Sequence, residues 1–113
     1  MRIISCRVGQ KATFENITNH LYYLQQFVGG HIETVTSPTG FVIICNEEGR
    51  IRDLPENPVV DPMTAVMWRW PEVIRGDYLI CGINGDSFAD IPDDDLTTDL
   101  LKILNSVRCH DDR

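Results

Sequence analysis

No apolar run in the 113-residue chain approaches the roughly 18 residues that a membrane-spanning helix needs. Residues 1–8 begin with a lone Arg and a short apolar stretch, too short for the core of a signal peptide and without a cleavage-like continuation. A cytoplasmic location is therefore the expectation, with no membrane partner. Basic residues are also scarce: 10 Lys and Arg stand against 17 Asp and Glu, a formal net charge of -7. Direct nucleic-acid binding is not expected, because neutralising phosphates takes a basic footprint.

Catalytic and metal-binding spacings are equally thin. The sequence has no GxSxG elbow, P-loop, HExxH pair or Gly-rich dinucleotide fingerprint. Its four cysteines, Cys6, Cys45, Cys81 and Cys109, form no CxxC pair, and no HxxxH pair exists. They are expected to be free structural thiols rather than a disulfide framework or a zinc site. No cofactor, metal or catalytic residue is assigned. A Cys acting with His20 or His31 stays open as a third-ranked enzyme reading, although no spacing supports it.

What is present is an ordinary globular composition, 42% hydrophobic and 24% charged, in a length suited to one domain over residues 1–113. Residues 108–113 are expected to form a flexible tail. Residues 2–8 are β-branched and apolar and end at Gly9, which reads as a strand. Ile17, Leu21, Leu24 and Val28 then fall on one helical face, ended by Gly29-Gly30, with Tyr22 and Tyr23 closing the edge of the core. Residues 31–36, a Ser37-Pro38-Thr39-Gly40 turn and residues 41–45 read as a hairpin. Its second strand, apolar on both faces, is expected to be interior.

Residues 50–54 read as a short extended segment, and residues 63–70 as one or two helical turns. A second hairpin is expected from residues 78–83 and 86–91 around Asn84-Gly85, with Gly82 marking a bulge. Pro92 and Asp93-Asp94-Asp95 open a last helix striped by Leu96, Leu100, Ile103, Leu104 and Val107. The fold class is α+β: a mainly antiparallel sheet of about five strands, two hairpins plus an N-terminal strand, with two amphipathic helices. An exposed hairpin edge leaves a homodimer open.

The landmarks Gly29-Gly30-x-Ile32-Glu33, Pro38-x-Gly40, Cys45-Asn46-Glu47-Glu48-Gly49, Leu54-Pro55-x-Asn57 and Gly76-Asp77-x-Leu79, followed by Gly82, Gly85 and Phe88, occur in that order. Over residues 2–105 this string resembles a family of small uncharacterised proteins of bacteriophages, plasmids and other mobile elements, catalogued as a domain of unknown function. The connector at residues 59–72, with Met63, Met67, Trp68 and Trp70, is longer and more aromatic than the family pattern. The resemblance implies a mobile-element protein in a bacterial cytoplasm and brings no catalytic residue.

Charge separates the two halves of the chain. Residues 1–52 hold Arg2, Arg7, Lys11, Arg50 and Arg52 against Glu15, Glu33, Glu47 and Glu48, so the excess acid lies wholly beyond residue 52. Asp86, Asp90, Asp93, Asp94 and Asp95 come from one hairpin and the adjoining helix start. They read either as a solvated face or as a surface for a basic partner, joined by Trp68 and Trp70. The leading expectation is a non-enzymatic counter-defence inhibitor whose carboxylates mimic DNA phosphates against a bacterial nucleic-acid-handling protein, such as a defence effector. The alternative is a module that sequesters a small molecule or nucleotide signal through Asn46, Glu47, Glu48, Arg50 and Arg52. The Asn46-Glu47-Glu48-Gly49 segment also has a plain reading as a turn.

Overall fold

The computed structural model describes residues 1–36, 40–57, 60–61, 66–67 and 74–108. The strands, in chain order, are β1 (Arg2–Cys6), β2 (Thr13–Asn16), β3 (Ile32–Thr36), β4 (Val42–Asn46), β5 (Val60–Asp61), β6 (Val66–Met67), β7 (Tyr78–Asn84) and β8 (Ser87–Ala89). Helix α1 is Leu21–Val28 and helix α2 is Asp95–Arg108. Among the described residues, β2-β1-β7-β4-β3 form an antiparallel sheet that β8 extends by pairing with the far half of β7, while β5 and β6 pair separately. The fold is α+β.

The two-residue period of a strand sends alternate side chains to opposite faces, and here both faces are apolar. Ile3, Val42, Ile44, Leu79 and Cys81 meet Leu24 and Val28 of α1 on one face. Ile4, Cys6, Ile43, Cys45, Tyr78 and Ile80 meet Leu100 and Leu104 of α2 on the other. Strand β4, buried along its whole length, is the interior strand that its unbroken apolar run implies.

The ends of the helices follow from local chemistry. His20, extended at φ -147°, accepts the Tyr22 N–H on Nδ1 and starts α1; Gly29 at φ 80° donates to Gln25 O and stops it. The helix is thus shorter than the apolar stripe predicts. Ile17 lies before it and packs into the same cluster from extended chain, while Leu21, Tyr22 and Tyr23 are exposed. Asp94 starts α2 by accepting the Thr97 N–H at 2.9 Å.

Other local expectations need correction. Residues 50–53 form a turn rather than an extended segment. Val66–Met67 is a strand, not part of a helix, and the rest of residues 63–70 lies outside the described residues, as do turn residues 37–39 and tail residues 109–113. In the second hairpin Asn84 pairs with Ser87, so Gly85-Asp86 makes the turn, with the positive φ at its first central position as a type II′ turn requires. Gly82 lies in an unbroken ladder and marks a close approach instead of a bulge: a Cβ there would stand 2.4 Å from the Asp90 carbonyl oxygen.

Candidate functional site

The landmark residues meet where α1, β4 and β1 end and β7 begins. Asn46, buried at the end of β4, donates from Nδ2 to Val28 O at 3.0 Å and accepts the Glu48 N–H at 2.7 Å on Oδ1. It thereby ties the last turn of α1 to the turn that leaves the sheet. Both polar ends of its amide are committed within the protein. Glu47, Glu48 and Arg50 are exposed on that turn, and Arg52 reaches back to donate to Gly29 O at 2.9 Å.

The next landmark locks the same region from below. Asn57, 1% exposed, donates from Nδ2 to Cys6 O and to Gly76 O, each at 2.8 Å, while its own N–H donates to Ile74 O. The Gly76 N–H donates to Pro55 O, and Gly76 at φ 88° lies so close to Leu54 that a Cβ would stand 2.8 Å from Cδ1. Asp77 accepts the Val8 N–H at 2.8 Å on Oδ1. Arg75 donates to Leu54 O and pairs with Asp53 and Glu56. A cleft of about 300 Å³ opens here between Val28-Gly29, Arg52, Leu54-Pro55 and Gly76-Asp77.

A second region has the opposite character. Asp86 at the hairpin tip, Asp90 after β8 and Asp93, Asp94 and Asp95 at the start of α2 are all exposed. Arg2 lies among them: its N–H donates to Asp90 Oδ1 at 2.8 Å, its guanidinium stands 4.0 Å from Asp93 and donates to Ile91 O. The guanidinium also lies 4.1 Å over the Phe14 ring, which fixes where it sits. Asp94 is held below the usual carboxylate range chiefly by the Thr97 backbone N–H. Asp86 and Asp95 have no side-chain hydrogen bond or ion pair among the described residues. Trp68 and Trp70 lie outside them.

Asp90 and Asp93 are thus brought together at Arg2, with Asp94 and Asp95 next along the chain, while Asp86 stands at the hairpin tip. The five residues Asn46, Glu47, Glu48, Arg50 and Arg52 share a turn, but Asn46 serves as a fastener. Two of the thiols are held in their neutral form: burial pushes Cys45 up to about 12, with Glu33 adding to the shift, and pushes Cys81 up to about 11. Both are therefore protonated near neutral pH, the reverse of what an attacking thiolate needs.

Residues 1–105, a span that includes both regions, match the family described as a domain of unknown function (DUF3846). The chain belongs to that family. No curated protein and no solved structure matches it. Among the described residues of this DUF3846 chain, no helix is long and apolar enough to cross a membrane.

Sequence reasoning passed over two contributors to these regions. Arg2, read as the first residue of a strand, is the cation around which Asp90 and Asp93 gather. Asp77, read as a landmark, faces the same cleft as Arg52. Neither has a spacing signal, because each meets its neighbours across the sheet rather than along the chain.

Proposed function

We propose that this protein is a non-enzymatic inhibitor encoded by a bacteriophage or other mobile element, acting in the bacterial cytoplasm. It docks its acidic edge, Asp86 through Asp95, into the basic groove of a nucleic-acid-handling protein of the host, such as a defence effector. The observation that carries this reading is that all five carboxylates are exposed and that two of them, Asp90 and Asp93, meet at Arg2, with Asp86 and Asp95 unpaired among the described residues. Like charges held together repel in the free protein, and a basic groove relieves that repulsion while steering the encounter. The mobile-element setting rests on the resemblance carried by the glycine, Asn-Glu-Glu-Gly and Leu-Pro-x-Asn landmarks.

The test is competition. The immobilised protein should retain a basic nucleic-acid-handling protein from bacterial lysate at low salt and release it to duplex DNA or to salt that shortens the screening length below about 8 Å. Asp93→Asn, Asp94→Asn and Asp95→Asn combined should abolish retention while keeping the fold, since Asn caps a helix about as well as Asp. Undiminished retention by that variant, or a retained partner that still binds duplex DNA, would contradict the reading.

A further inference from the structure

The cleft beside Gly29 and Gly76 is chemically unlike the acidic edge and goes beyond the function proposed above. Its lining includes Arg52, whose guanidinium Nη1 donates to Gly29 O while its other donors have no partner among the described residues. The lining also includes Asp77, whose carboxylate Oδ1 accepts the Val8 N–H and whose Oδ2 makes no hydrogen bond among the described residues. The rest of the lining is apolar, from Val8, Val28, Leu54 and Pro55, and two glycines leave the backbone bare. Gly76 has no room for a side chain, because Leu54 fills the space a Cβ would take.

Charge decides what such a cleft holds. Arg7, which acts electrostatically on Asp77, is already bound by both Glu15 oxygens, at 2.8 and 3.2 Å. Arg75 is likewise engaged with Leu54 O, Asp53 and Glu56. That leaves one cation and one anion in an otherwise apolar lining, a balance that suits a ligand with both charges and no net charge. A nucleoside polyphosphate would bring several negative charges to a single available guanidinium. A volume of about 300 Å³ is at the small end of ligand sites and matches an amino acid rather than a dinucleotide.

We infer that this cleft binds a free amino acid with an apolar side chain: its carboxylate pairs with Arg52, its ammonium with Asp77, and its side chain lies against Val28, Leu54 and Pro55. The probes are L-leucine, L-methionine and L-phenylalanine, followed by amide chemical shifts of the whole protein. At least one should shift Val8, Gly29, Gly76 and Asp77 in a saturable way. The amide and N-acetyl forms of that amino acid, each lacking one charge, should bind about tenfold more weakly or worse, as loss of a charged hydrogen bond predicts.

Asp77→Asn keeps the acceptor for the Val8 N–H and should weaken binding by a similar factor with an unchanged unfolding midpoint; Arg52→Gln should do the same. Saturable shifts lost in both variants support the assignment. No saturable shift with any of the three amino acids, equal binding of the blocked forms, or tighter binding of guanosine monophosphate than of every amino acid would overturn it. The acidic edge is untouched by these variants, so failure here leaves the docking proposal standing and the reverse also holds.

Discussion

At the pole where α1, β4 and β1 end, polar side chains are buried and spend their hydrogen bonds on backbone: Asn46 on Val28 and Glu48, Asn57 on Cys6 and Gly76. Along the edge from Asp86 to Asp95, polar side chains stand in solvent and are held by one shared Arg2, by one helix cap or by no described partner. A buried amide that donates to two carbonyls is costly to remove, because both hydrogen bonds are lost away from water. An exposed carboxylate gives the fold little, since an ion pair as open as Arg2–Asp93, where Asp93 is 95% exposed, is screened by water. The difference separates polar residues that close the fold from polar residues left over for something else.

The largest effect should come from the buried pole. Asn57→Ala removes the hydrogen bonds to Cys6 O and Gly76 O and should cost about 3 kcal/mol in urea unfolding. A cost near zero would mean that the pole is not fastened by its amides.

The next variant links the two regions. Gly82→Ala places a methyl 2.4 Å from Asp90 O, so the chain that carries the acidic edge must move away from β7. It should cost about 1–3 kcal/mol, as overpacking does, and should displace the amide resonances of Arg2 and Asp90. An unchanged spectrum would show that the edge is not set by this approach.

The smallest effects belong to the edge itself. Asp94→Ala removes the α2 cap and should lower the unfolding midpoint slightly, whereas Asp94→Asn should restore it. The pH dependence has a definite sign. Asp94 is held below its ordinary 3.8 in the folded protein, so its contribution is complete above that value and disappears as pH falls through the lowered one. Asp94→Asn should flatten that acid limb; an unaltered limb would assign the acid sensitivity elsewhere, with Glu15, lowered chiefly by its hydrogen bond from Arg7, the next group to change.

The sheet core was legible in the sequence because β-branched runs such as Val42 to Cys45 have one reading, a strand covered on both faces. The start of α2 was legible for a similar reason, since an Asp before an apolar stripe caps a helix. The start of α1 was not: Ile17 falls at the helical spacing yet reaches the core from extended chain, where its N–H donates to Met1 O. Strand β2 was missed because Thr13–Asn16 is largely exposed and carries no two-faced apolar signal; it is held by its pairing with β1 and by the Arg7–Glu15 bridge.

In the second hairpin the Asn-Gly pair set the expected turn one residue early, because the ladder continues through Asn84 to Ser87. Among the site residues, the exposure of the aspartates followed from composition. The role of Asn57 did not, since its partners Cys6 and Gly76 lie 51 and 19 positions away.

The claim that the edge charge serves something other than the fold is tested most directly by Asp86→Asn, Asp93→Asn and Asp95→Asn combined, unfolded in urea at low and at high salt beside the unaltered protein. The account predicts a midpoint at least as high as that of the unaltered protein at low salt, and a smaller gain on adding salt, because the repulsion that salt screens has been removed. A midpoint clearly below that of the unaltered protein at low salt would make these carboxylates part of what holds the fold together and would contradict the account.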